Sequence, residues 1–376
     1  MNRSVTQPLG EVCVAKSGNS KIIKGTLPTQ NDGTLFPAYS ATGQDVFSDS
    51  YDFDGDGIVI SAVGARCGKC FLASGKWRAI ANTHVILPKP DKANVRFLWY
   101  LLNDESFWVK GGTAQPFVKV LDSLKTLIAV PPLAEQERIV KLLDEADDLR
   151  KLRAQADRRA AALIPALFHE MFGENVKKAR ERVKLEQIAE VVSGVAKGRK
   201  FNGRQPVEVP YLRVANVQAG YLDLAEIKTI QALPEEVEEL ALRKGDVLLT
   251  EGGDFDKLGR GAMLDQDLPN CIHQNHVFRV RVEQSKLEPV YFAKFLLTAE
   301  ARGYFLGCAK RTTNLASINM TQLRALPVPI PPLLLQKEFA VRVAEIREME
   351  SAQSASRKRL DDLFQSMLHR AFEGEL

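Results

Sequence analysis

Several short strings in this sequence imitate reactive chemistry, and each lacks the context that chemistry needs. Phe53-Asp54-Gly55-Asp56-Gly57 fits F-x-G-x-G, the nucleotide loop of adenine methyltransferases. Such a loop needs a strand before it and a helix after it. Here the strand-like Ile58-Val59-Ile60 follows, and the chain holds no Asn/Asp-Pro-Pro-aromatic tetrapeptide. Asp52, Asp54, Asp56 and Gly57 open like a calcium loop, but Val63 stands where a bidentate Glu should close it. Gly64 to Cys70 resembles a phosphate loop, with Cys70 where a magnesium-binding Ser or Thr belongs. Cys67-x-x-Cys70 has no second ligand pair at zinc spacing, and Cys13, Cys271 and Cys308 are scattered. No Ser/His/Asp set or carboxylate pair has interpretable spacing. Turns and ordinary thiols account for these residues, and no catalytic or metal centre is expected.

The remaining informative side chains are basic groups and amides in turns. In the first half they are Lys16, Arg66, Lys69, Lys76, Arg78, Asn82 and His84, with Thr113 and Gln115 in a polar loop. In the second they are Lys197, Arg199, Lys200, Arg204, Arg213, Asn216, Arg260, Gln274, Asn275, His276, Lys310 and Arg311. Lys and Arg contact phosphates, Arg also reads guanine through two bonds, and Asn or Gln reads adenine. Any one of them alone is an ordinary surface group. Their concentration in loops at matching places of two halves makes them candidates for nucleic-acid contact. His84 and His276 also suit a plain hydrogen-bonding role at strand ends.

The elements that must position them come in two copies. Pro131-Pro132-Leu133 returns as Pro331-Pro332-Leu333, Gln136 as Gln336, Glu145 as Glu345, Arg159 as Arg359, His169 as His369 and Phe172 as Phe372. An offset that never drifts argues for a fixed-length element, most simply a long helix after a Pro-Pro start. Ile139, Leu142, Ala146 and Leu149 keep a 4-3 spacing, and Phe339, Val343, Ile346 and Met349 do nearly the same. That pattern predicts a coiled-coil-like pair, each helix spanning roughly 55–60 Å at about 1.5 Å per residue. Pro165 should kink or restart the first helix.

Before each helix lies a run of short strand candidates with Gly/Asp turns. Phe36–Tyr39 matches Val209–Val214, Ile58–Ile60 matches Val247–Leu249, and Asn82-Thr83-His84 matches Gln274-Asn275-His276. Each half then offers one helix, Val95–Leu102 and Val290–Leu297, and a polar loop, Gly111–Gln115 and Lys310–Asn314. The pattern predicts an α+β protein with two mixed-sheet domains and a pseudo-twofold internal repeat. The expected bounds are 1–130 and 175–330 for the domains, and 131–174 and 331–376 for the helical spacers. A chain of 376 residues exceeds one ordinary core. Its net charge of +4 permits a polyanionic partner without demanding one. Five sparse cysteines, no apolar signal core and no membrane-length window point to the cytoplasm.

At this point the residues resemble a family. Pro131-Pro132-Leu133-Ala134-Glu135-Gln136-Glu137-Arg138-Ile139-Val140, entering a long helix, is similar to the PLxEQxxIV segment of type I restriction-modification specificity subunits (HsdS). The second copy departs from it, with Leu335 at the acidic position and Lys337 after the Gln. The resemblance covers the whole chain and implies two target-recognition domains, each reading one half of a split double-stranded DNA target. It also implies an antiparallel coiled coil that sets the gap. Two modification subunits (HsdM) would dock on the helical seam, at Leu133, Gln136, Ile139, Leu142, Leu149, Leu333, Gln336, Phe339, Val343 and Ile346. Restriction subunits (HsdR) would complete the complex. S-adenosylmethionine, ATP and magnesium would belong to those partners, with no cofactor on this chain. A specificity subunit of a methylation-only or type II-like system is the nearest alternative. A fused methyltransferase, or a scaffold with no sequence preference, would be a different class of protein.

Overall fold

The computed structural model describes residues 5–178, 182–253, 258–311 and 316–373. It divides into two compact units, Met1–Gln155 with Ser354–Leu376, and Ala156–Gln353.

In the first unit, Val5–Pro8 pairs antiparallel with Leu127–Val130, clasping the beginning of the domain to the segment just before Pro131-Pro132. A four-stranded antiparallel sheet follows the order Cys13–Ser17, Thr83–Pro88, Gly57–Ser61, Cys70–Ala73. Its inner strand Gly57–Ser61 is buried throughout, which suits the continuous Ile58-Val59-Ile60 run. A second sheet runs Gly43–Ser48, Phe36–Ser40, Lys76–Ala79, Phe53–Asp54 and is mixed, because Phe36–Ser40 lies parallel to Lys76–Ala79. The helix Val95–Leu102 starts at Asn94, whose Oδ1 accepts from the Arg96 and Phe97 N–H groups.

The second unit repeats this plan. Arg182–Lys184 clasps Pro327–Pro329. The main sheet runs Ala189–Ser193, Val277–Val282, Val247–Thr250, Gly261–Met263, and a second sheet runs Lys228–Ala232, Val207–Leu212, Ile272–His273. Val207–Leu212 lies parallel to Ile272–His273, as the equivalent pair does in the first unit. The expected helix here is Pro289–Phe295.

Strand pairing fixes the correspondence between the halves and corrects one expectation. Ser17 stands opposite His84, and Ser193 opposite Phe278. His84 therefore corresponds to Phe278, and Asn82 to His276. The expected match of Asn82-Thr83-His84 with Gln274-Asn275-His276 is two residues out of register. A shift of two leaves the in-and-out alternation of a strand unchanged, so periodicity could not detect it. A Ser-Gly pair marks the true correspondence. A Cβ on Gly18 would lie 2.1 Å from Thr83 Oγ1, and one on Gly194 would lie 1.8 Å from the His273 carbonyl. The backbone passes so closely at both places that only glycine fits.

The repeated segments are helical. The first runs Leu133–Ala160 and restarts as Leu163–Lys178, whereas the second is one unbroken helix, Leu333–Glu373. Pro165 falls in the first turn of the restarted helix, where its missing N–H costs nothing. Both copies begin with the same lock. Gln136 is fully buried; its Oε1 accepts the Asn94 N–H at 2.7 Å, and its Nε2 donates to the Lys92 and Pro131 carbonyls. Gln336, also fully buried, accepts the Glu288 N–H at 2.8 Å and donates to the Pro331 carbonyl at 2.7 Å. The Gln of the motif thus ties each helix start to the loop entering the domain helix. The departure at Leu335 leaves this lock intact. Glu135 pairs with Arg138 near the surface, whereas Leu335 packs against the apolar core of its unit.

Within the first unit, Arg150 meets Asp361 at 2.8 Å and lies 4.4 Å over the Phe364 ring. Tyr100 donates to Asp144 at 2.7 Å, and Phe97 meets Phe372 edge-on. Within the second, Phe168, Phe172, Tyr291 and Phe339 form one aromatic cluster. Among the described residues, no helix is long and apolar enough to cross a membrane.

Candidate nucleic-acid interface

The ends of the inner strands gather the polar groups in each unit. In the second, Val247–Thr250 leads into Glu251, whose carboxylate lies 2.5 Å from His276 Nδ1. The Glu251 N–H donates to the His276 carbonyl, and Asn275 Nδ2 lies 3.4 Å from the other ring nitrogen. Arg260 closes the same corner, its carbonyl accepting the Thr250 N–H and its Nη1 donating to Gln218 Oε1 at 2.9 Å. A small sheet extends it, with Gly252–Gly253 paired to Ala316–Ser317 and that strand paired to Lys310–Arg311. The side chains of Lys310 and Arg311, and residues 312–315 of the expected polar loop, lie outside the described residues.

The first unit builds the same corner from different residues. Ala62 donates to the Asn82 carbonyl, and Val63 bridges Phe117 in the hairpin Lys110–Gly111 with Phe117–Val118. That hairpin carries exposed Thr113 and Gln115 beside the turn that holds exposed Arg66 and half-buried Lys69. Asn82 sits at φ +64 with its side chain in solvent. His84 is half-buried, and burial holds its imidazole below the usual range. These groups form a polar rim of uncharged and basic residues, suited to hydrogen bonding along a polyanion.

Other candidates lie elsewhere or are already engaged. Lys16 is exposed on the edge strand Cys13–Ser17 of the first sheet and Lys76 on the strand Lys76–Ala79 of the second, over the rings of Phe53 and Tyr51 at 5.6 and 4.9 Å. Arg78 is held by both oxygens of Asp52 at 3.0 Å and by Ser48. Arg199 pairs with Glu236 and Arg204 with Glu235, which ties their loop to the helix Pro234–Leu240. Lys197 and Lys200 of that loop are exposed. Arg213 pairs with Glu226 at 2.8 Å. Asn216 corrects an expectation. It is 3% exposed and spends its amide on the Arg213 N–H and the Asp223 and Glu226 carbonyls, so it holds a loop together and cannot read a base. Gln274 donates its backbone N–H to Leu212 and lies half-buried beneath the corner. Sequence reasoning missed Glu251, Gln218 and Tyr221. A carboxylate and an uncharged loop carry no basic signal, and only the fold brings them to Arg260 and His276.

Of the helical seam residues, Gln136, Ile139, Gln336, Phe339 and Val343 are buried within their own units and present no surface to a partner. Leu133, Leu142, Leu333 and Ile346 are half-buried, and Leu149 is exposed. Exposed apolar residues recur at the repeat offset, Leu149 with Met349 and Leu163 with Leu363.

The motif-like strings do not assemble a reactive site. Phe53-Asp54 and Gly57–Ser61 are both strands, so Gly55-Asp56 is a turn, and Phe53 stacks on Trp77 at 4.4 Å. Cys67 and Cys70 are buried; the Cys70 thiol donates to the Leu102 carbonyl, and burial raises its pKa. Among the described residues, no group of three or more His, Cys, Asp or Glu is placed to hold a metal ion.

A family model described as the type I restriction modification DNA specificity domain matches residues 3–158 and 178–347. The chain is 27% identical over 276 residues to the type I restriction enzyme EcoKI specificity subunit of Escherichia coli (strain K12), covering 66% of this chain. The aligned stretch spans 57% of that subunit's length. It is 25% identical over 342 residues to the MjaVIII specificity subunit of Methanocaldococcus jannaschii, covering 83% of this chain and 77% of that one. In fold it is similar to a chain solved in work on complex assembly and conformational transition of the type I R-M system, with TM-score 0.63 at 18% identity, covering 100% of this chain and 99% of that one. The type I S subunit from M. genitalium gives TM-score 0.58 at 15% identity, covering 98% and 96%.

Proposed function

This chain belongs to the type I restriction modification DNA specificity family, and on that premise we propose that it is the DNA-recognition subunit of a type I restriction-modification complex in the cytoplasm. Each unit reads one half of a bipartite duplex target, and the chain itself carries out no chemistry. The single observation that carries this reading is the corner built twice on one plan from different residues. Arg66, Lys69, Asn82, Thr113 and Gln115 occupy one, and Glu251, Arg260, Asn275 and His276 the other. A shared frame with divergent side chains is what reading two different half-sites requires.

The two helical segments form the frame, as an antiparallel coiled coil with a pseudo-twofold axis. Arg150 against Asp361 in one unit, and Phe168 against Phe339 in the other, support this, since one residue number rises as the other falls. Modification subunits dock on the helices through their exposed apolar positions, Leu149, Leu163, Met349 and Leu363. They bring S-adenosylmethionine, and restriction subunits bring ATP and magnesium.

The test is domain exchange. With residues 1–130 replaced by the matching segment of another specificity subunit, the chain is assembled with its methylating partner and methylated sites are sequenced. One half of the target should change and the other stay. A change in both halves, or in neither, contradicts the reading.

A further inference from the structure

The hairpin of the second sheet differs between the units. In the first, Ser40 and Gly43 close it directly. In the second, residues 213–227 are inserted between Val207–Leu212 and Lys228–Ala232. The insertion is anchored at its base by the buried amide of Asn216, and Val217 packs with Leu212, Leu248 and Leu264. Its tip is a tight turn. Val217 bridges Leu222, the Gln218 N–H donates to the Tyr221 carbonyl at 3.0 Å, and the Gly220 N–H donates to the Gly261 carbonyl at 3.0 Å. Gly220 sits at φ +87, a conformation that glycine adopts without strain.

The outcome is a tyrosine ring in solvent. Tyr221 is 62% exposed, and Gln218, next in the same turn, accepts from Arg260. Single exposed apolar side chains are ordinary. This one is distinguished by the framework that holds it out, and by its turn, whose Gln218 side chain binds the Arg260 guanidinium at the corner that carries Glu251 and His276.

Resting on the DNA-recognition reading above, we propose that Tyr221 is a stacking wedge of the second unit. Its ring enters a base step of the second half-site, while Arg260, with Nη1 engaged by Gln218 and Nε buried, turns Nη2 toward a backbone phosphate. The wedge makes this half-site favour a step that unstacks easily.

The test uses the full chain assembled with its methylating partner on the duplex target found by methylation mapping. Binding is measured on that duplex and on a scrambled one, and thymine unstacking is read by permanganate reactivity. Tyr221→Ala should lose on the order of tenfold in affinity for the target, with little change on scrambled DNA, and should erase the reactive thymine in the second half-site. Tyr221→Phe should keep both. A Tyr221→Ala complex that binds and footprints like the unsubstituted one overturns the wedge. An unsubstituted complex that shows no preference for the target overturns the recognition reading instead.

Discussion

His273 shows how a single residue can look like a recognition group by type and be structural by place. Its side chain is fully buried, and Nδ1 lies 2.7 Å from the Val277 carbonyl. A carbonyl can only accept, so Nδ1 carries a proton; Nε2 is buried with no partner among the described residues to take a second one, so the ring is neutral. Burial pushes its pKa down to about 4 from 6.5. Above pH 6.5 the ring is neutral folded and unfolded, and its contribution is fully present. As pH falls from 6.5 toward 4, only the unfolded chain takes the proton, and stability on the order of 3 kcal/mol is lost. Urea midpoints should therefore drop between pH 7 and pH 5 more steeply for the unsubstituted chain than for His273→Gln. Equal drops would show that the ring titrates freely in the fold. Basic residues were legible as candidates from type and loop position, yet type alone could not separate exposed Arg66 from Arg78, which Asp52 and Ser48 hold. Tyr221 carried no signal at all, because a lone aromatic acquires meaning only from the turn that exposes it.

Elements were more legible than residues where an unbroken repeat wrote them. The Pro-Pro-Leu starts, the domain helices and the inner strands all fall where their spacing puts them. The strand match failed by two residues because alternation is blind to such a shift, and the contact that fixes it, Gly18 against Thr83, is long-range. The motif Gln is the clearest element-scale device. Gln136→Ala would leave the Asn94 N–H and the Lys92 and Pro131 carbonyls without their partner in a buried site. Such losses cost about 2–4 kcal/mol. Gln336→Ala should cost slightly less, since its bond to Lys286 is already long at 3.5 Å. Thermal unfolding of both variants checks this, and no loss in either would mean that the helix starts are held by packing alone. Pro165 acts at the same scale. Gln365→Pro places a proline inside the unbroken helix Leu333–Glu373, with residues of the preceding turn on its N-terminal side. It should lose roughly 3 kcal/mol, whereas Pro165→Ala should change stability little.

On the scale of the whole molecule, the chain is one architecture written twice with its loop surfaces rewritten. The fixed part is the clasp, the inner strands, the Gln lock and the long helices. The free part is the set of loops at the corner of each unit, including the insertion around Tyr221 that the first unit lacks. The duplication was legible because a constant offset survives divergence of the domains between its copies. The bases that the proposed reading assigns to each half were not, since they depend on which loop side chains would reach a groove and on how the duplex would deform. The measurement that bears most directly on this division is genome-wide mapping of N6-methyladenine in a host expressing this chain with its methylating partner. The expected result is a single motif of two defined, unlike halves separated by a constant gap. A single undivided motif, a gap that varies from site to site, or methylation with no sequence preference would contradict the account.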